Sequence, residues 1–216
     1  MRPFLILAAG ITAASPALAE DTSLDGLKDR ITGRWTSFAC EIRPTADPDG
    51  GVPTPTYLLR DFTYGADDSF AAAITVFGDP ACTVPLVTYD FAGYLVWHEE
   101  NPAAPGAWSQ DYVLNKKLEI TVKAEPMAAR MNNLPPGACG DAPFEVGVAQ
   151  DILGKPCVLL RFVEGSDVVI DHDLLYVRED TPNMLFMGGK HVNGAGFYYP
   201  ENRPTVGLQQ PLLKAD

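Results

Sequence analysis

Leu86-Val87-Thr88-Tyr89-Asp90-Phe91-Ala92-Gly93-Tyr94-Leu95-Val96-Trp97-His98 is the stretch that decides the fold. Its odd positions, Val87, Tyr89, Phe91, Gly93, Leu95 and Trp97, form one apolar face, because successive side chains of a strand point to opposite sides. The same period recurs along the chain. Ser69 to Phe77 reads as a strand, and Lys117 to Lys123 sets Leu118, Ile120 and Val122 against Glu119 and Thr121. Val158, Leu160 and Phe162 alternate with Arg161 on the other side. Leu174 to Arg178 and Met184 to Met187 are further strands.

One segment breaks the period. Glu125-Pro126-Met127-Ala128-Ala129-Arg130-Met131-Asn132 is rich in helix formers, with Pro126 suited to a first turn and Met127 and Met131 on one face. It reads as a short helix over an open edge or end of the sheet. Proline and glycine are scattered between short apolar runs, without repeats or low-complexity linkers. Asp47-Pro48-Asp49-Gly50-Gly51 is a turn that lacks the remaining ligands of a calcium loop. The expectation is an all-β fold with one short helix: an antiparallel β-barrel or strongly curved sheet, lipocalin-like, with a two-sheet sandwich as the alternative.

The first residues read as an export signal. Arg2 precedes an apolar run, Phe4 to Ile11, and the segment closes on Ala17-Leu18-Ala19, a small-x-small cleavage pattern. Its apolar core is about half of the roughly 20 residues that span a bilayer, and no later stretch reads as a transmembrane anchor. Residues 1–19 are therefore expected to be a signal peptide and residues 20–216 a single domain, periplasmic or secreted. The short Ala-rich leader is of the bacterial kind. The 216-residue chain carries a formal charge of −12, which argues against nucleic acid as a partner.

Four cysteines, Cys40, Cys82, Cys139 and Cys157, suit an oxidising compartment and allow three pairings. The sequential one, Cys40–Cys82 with Cys139–Cys157, is the economical choice. No Cys-x-x-Cys pair is present, and the three histidines stand far from the cysteines in sequence, so neither a metal nor a cofactor is expected.

Gly33-Arg34-Trp35, at the start of the first strand, resembles the opening of lipocalin-like, or calycin, barrels. There the glycine permits close packing, the tryptophan closes the floor, and an arginine from a late strand packs across the indole. Arg178 is the positional candidate. The longer run Gly33-Arg34-Trp35-Thr36-Ser37-Phe38-Ala39-Cys40-Glu41-Ile42-Arg43-Pro44 resembles the adenomatosis polyposis coli down-regulated (APCDD) domain. The resemblance continues through Leu59-Arg60-Asp61-Phe62, Phe70 and Cys82-Thr83-Val84-Pro85. It takes in Cys139 and returns at Leu185-Phe186-Met187-Gly188-Gly189-Lys190-His191, Phe197-Tyr198-Tyr199-Pro200 and Gln210-Pro211-Leu212. Animal members of that family are secreted or membrane-anchored Wnt antagonists with two such domains. The resemblance implies a sheet domain with an apolar interior able to take an acyl chain. In a bacterium, where no Wnt ligand exists, antagonism does not carry over.

The expected function is binding of an apolar small molecule such as a lipid acyl chain, without enzymatic activity. Leu95 and Trp97 share a strand face with Phe91, while Leu118, Ile120, Val158, Leu160 and Phe162 alternate on their own strands. If the strands close, these faces point inward together. His191 is the polar group expected at the cavity mouth. The alternative is a protein-interaction or inhibitory module whose interior is filled by its own side chains. A hydrolase using His98 or His172 is the least favoured. His98-Glu99-Glu100 and Asp171-His172-Asp173 read as solvated turns, and Glu164-Gly165-Ser166-Asp167 reads as a hairpin turn rather than a nucleophile elbow. Gly188-Gly189-Lys190 lacks the spacing of a phosphate loop. On export, the intact mass of the mature protein is expected to correspond to residues 20–216; a periplasmic product retaining Met1 would refute the cleavage site.

Overall fold

The computed structural model describes residues 22–45, 52, 54–160, 166–189 and 198–215. The leader, the Asp47–Gly51 turn, Glu164 and Gly165 of the expected hairpin turn, Phe162, His191 and Phe197 lie outside the described residues. The chain opens with α1 (Leu24–Ile31), which Ser23 caps by accepting the Gly26 N–H at 3.1 Å. Leu27 and Ile31, one turn apart, are its buried face. The Thr32 hydroxyl and N–H both return to the Lys28 carbonyl and end the helix. Gly33 follows at φ +120°, a conformation L side chains rarely adopt, and turns the chain into β1 (Gly33–Ser37). This helix is not in the sequence reading, which has one helix; the described residues form two α-helices.

β2 (Glu41–Thr45) resumes after a three-residue break, and both pieces pair antiparallel with β3 (Thr54–Tyr64), β1 on residues 61–64 and β2 on residues 54–58. β4 (Ser69–Phe77), β5 (Pro85–Glu100) and β6 (Trp108–Val122) continue as consecutive hairpins. Their turns are held by aspartates: Asp67 accepts from the Ser69 N–H and hydroxyl, and Asp79 from the Thr83 and Val84 N–H groups. The helix α2 (Glu125–Asn132) forms where its composition places it and buries Ala128 and Met131. β7 (Ala149–Asp151) pairs with the far half of β6, and β8 (Val169–Val177) with the near half. β9 (Met184–Met187) and β10 (Leu212–Lys214) complete the set.

The result is one ten-stranded, strongly curved sheet. Its pairings run from β1 through β10, β9, β8, β6, β5 and β4 to β3, and β1 also pairs with β3 at four positions, Gly33↔Tyr64 to Thr36↔Asp61. The arrangement is ring-like. The β-barrel of the sequence reading is corrected: among the described residues β2 and β7 branch from the ring, each paired along one edge only, and the sheet there is a curved, ring-like ribbon with free edges rather than a barrel.

A second correction concerns Val158 to Phe162. Val158–Leu160 is a single 3₁₀ turn, not a strand. Cys157 is tied to Cys139, the Val158 N–H donates to Ala138, and the Leu160 N–H folds back to Cys157, so the chain cannot extend there. Both expected disulfides are present, Cys40–Cys82 and Cys139–Cys157. The first joins the β1–β2 break to the β4–β5 turn. With sequence separations of 42 and 18, removing the first bridge by paired serine substitution is expected to cost about 4 kcal/mol and the second about 3 kcal/mol by loop-closure entropy. Urea titration of the two variants checks the order, and equal losses would contradict it.

Candidate functional site

The inner face of the ring follows from strand parity. Trp35 lies opposite Phe62, Phe62 opposite Ala72, Ala72 opposite Phe91, and Phe91 opposite Leu118. Trp35 is fully buried and its indole N–H donates to the Ile31 carbonyl at 2.6 Å, so it floors the ring above α1. The cation over its ring is Lys214, 5.2 Å from the centroid, rather than Arg178. Arg178 makes a two-pronged bond to Asp180 at the surface, because it stands just past the end of β8, where the carboxylate two residues on is within easy reach.

Above the floor sits an aromatic group: Phe62, Tyr64, Phe70 and Tyr112, with Phe70 edge-on to Tyr112 at 4.8 Å. The Tyr64 and Tyr112 hydroxyls meet at 2.6 Å, and burial raises both phenol pKa values above their ordinary range. Of the expected lining residues, Leu95, Leu118 and Ile120 are buried in this core, while Phe91 and Trp97 are half-buried against it. They divide between two regions. Trp97 lies near α1, its indole N–H donating to Asp68 at 2.8 Å under Lys28. Phe91 stacks with Tyr89 farther along the strand. Leu160 is half-buried in the 3₁₀ turn, and Val158 is exposed.

The interior also carries polar groups that the sequence reading does not single out as site residues. Arg60 is buried, donating to Glu41 at 2.7 Å, to the Met187 sulfur at 3.0 Å and to the Gln210 carbonyl at 2.6 Å. Arg43 bonds Gln209 and flanks Glu41. Burial and the neighbouring Arg60 charge lower its pKa to about 10 against the pull of Glu41, Asp173 and Asp171. Gln110 and Asp173 face each other on β6 and β8, both fully buried. A visible signal exists for these: Arg60 and Gln110 share parity with Phe62 and Tyr112 in otherwise apolar strand faces.

On the outer face, Asp111 gathers three partners. His98 Nε2 lies 2.8 Å from one oxygen; His172 Nδ1 at 2.6 Å and Arg203 at 2.5 Å share the other. Arg203 also donates to the Gln110 and Asp173 carbonyls. The two histidines therefore lie within strands and share a carboxylate, correcting the reading of both as solvated turns. Cross-strand pairing of Asp111 with His172 produces the contact. Among the described residues neither imidazole bonds a hydroxyl or thiol, so no nucleophile is activated there. No group of three His, Cys, Asp or Glu among them is arranged to hold a metal, and no helix among them is long and apolar enough to cross a membrane.

A strongly curved, disulfide-braced sheet with a mixed aromatic and polar interior defines a sheet module, and no catalytic constellation is seen among the described residues. The family model described as adenomatosis polyposis coli down-regulated 1 matches residues 19–153, and the chain belongs to that family. The motifs quoted from Leu185 onward lie beyond the matched span.

Burial pushes the Asp111 carboxyl up, but the hydrogen bonds from His98, His172 and Arg203 together hold it below the usual carboxylate range. Its stabilisation is thus present above the unfolded value, about 3.9, and is lost as pH falls through the lower folded value. Asp111→Asn is expected to cost about 3 kcal/mol near neutral pH, with the gap to wild type closing below about pH 4. Denaturant melts across pH test this; a gap unchanged in acid would refute the assignment.

Proposed function

We propose that this chain is an exported binding module, periplasmic or secreted, whose residues 20–216 act as one domain after loss of a signal peptide. Its ligand is an apolar small molecule such as a lipid acyl chain, taken into the ring. The carrying observation is the inward aromatic and aliphatic face over the Trp35 floor, a floor of the kind lipocalin-like folds use. Apolar pockets with a few oriented polar groups are the usual form of small-molecule sites. The Phe91 and Leu95 side of β5 is the wall we assign to the chain, with Trp97 at the end nearer α1. Phe162 and His191 belong to the same proposal. Two disulfides support an oxidising location.

A second reading, a protein-interaction module, draws on exposed Phe38, Ile42 and Val84 in the segments that flank the Cys40–Cys82 bridge. Large exposed apolar side chains in a cluster mark docking surfaces.

Titration of the folded, delipidated protein with fluorescent fatty acids of graded length is expected to show saturable binding that strengthens with each added CH₂ by up to about 0.8 kcal/mol. Native mass spectrometry is expected to show co-purified lipid. Failure to saturate at any length removes the acyl reading and promotes the interaction module.

A further inference from the structure

Gln110 is fully buried on β6, and among the described residues neither its carboxamide nitrogen nor its oxygen has a hydrogen-bond partner. It shares the inward face of Tyr112, two residues on, whose hydroxyl is already paired with Tyr64. Its cross-strand neighbours are Trp97 on β5 and Asp173 on β8. The polar groups of its cross-strand neighbours are engaged elsewhere, Trp97 with Asp68 and Asp173 with the Leu174 and Gly188 N–H groups. Buried polar atoms without partners are rare, and leaving both ends of one amide unpaired is costly. A leucine would fill nearly the same volume without that cost.

We propose that the Gln110 carboxamide is the polar anchor of the ring interior, taking a neutral group that both donates and accepts a hydrogen bond, a primary alcohol or primary amide, at the head of an apolar chain. The proposal rests on the acyl-chain reading and narrows its ligand class. An amide presents one donating and one accepting end, so its complement must offer both. A carboxylate only accepts. It leaves the Gln110 oxygen unpaired and brings an anion beside the Asp173 carboxyl. An alcohol or amide satisfies both ends.

The test is competition against a fluorescent chain probe, using the delipidated full-length mature protein. The competitors are a saturated alcohol, primary amide and carboxylate of one chain length at neutral pH. The alcohol and amide are expected to compete roughly tenfold better than the carboxylate, one hydrogen bond and the repulsion by Asp173 being at stake. Gln110→Leu and Gln110→Met, shown to be folded by circular dichroism, are expected to bind the alcohol and the amide more weakly and to narrow their advantage over the carboxylate to what repulsion by Asp173 alone leaves. In the wild type, the side-chain amide resonances of Gln110 are expected to shift as alcohol saturates the protein, and this readout decides the matter even if neither variant folds. Equal affinities with unmoved Gln110 resonances overturn the anchor, identify its partner as an internal water only, and leave the acyl reading standing. Binding of none of the three removes both.

Discussion

The buried indole of Trp35 is the constraint on which the remaining structure turns. It is held from below by the Ile31 carbonyl and sits on a strand that pairs on one side with β3 and on the other with β10. Its position therefore fixes where α1 ends, where β1 begins and how the two arms of the curved sheet meet. Gly33 makes this geometry available by turning the chain immediately between the helix and the indole. Burying a side chain of this size contributes several kcal/mol, about 3–5 by the usual cost of truncating it.

Around that floor, charge is used to fix register. Arg60 and Glu41 are buried together, and the arginine spreads its donors over β2, β9 and the segment before β10. Asp111 performs the same service outside, gathering β5, β8 and the chain near Arg203. A one-residue slip of β6 would turn Asp111 inward and Gln110 outward, stranding one charge and freeing another from its partners. Such groups add little net stability against apolar equivalents, but they make wrong pairings expensive.

Much of the sheet was legible in the sequence because period-two alternation depends only on which face is buried. Ser69–Phe77 is a strand at the bounds read for it, and Leu86–His98 lies wholly within β5. Alternation failed at Val158, where the disulfide and a carbonyl at Ala138 override the local pattern. It also missed α1, whose two buried residues, Leu27 and Ile31, make too short a stripe to stand out. The interior was harder. Strand parity identifies Phe91 and Leu95 as inward but cannot say which inward positions meet across strands. Asp111 meets His172 through the β6–β8 register, and the β5–β6 register that sets its surroundings on the other side depends on bulges near Gly93 and Trp97 that no spacing rule reveals. Arg178 illustrates the opposite failure: position along the chain suggested an indole partner, while an adjacent carboxylate was nearer.

The pairing of β1 with β10 joins strands from opposite ends of the chain. Closing a loop that runs from Trp35 to Lys214 is entropically slow, and its reward comes only when β10 arrives. The hairpins β3 to β6 can assemble as soon as they emerge, but during synthesis the inner aromatic face stays open until Leu212–Lys214 is free. The nascent form is an open, sticky half-shell. A chain stopped a few residues early would keep its hairpins and both bridges, yet lose the seam that hides its interior.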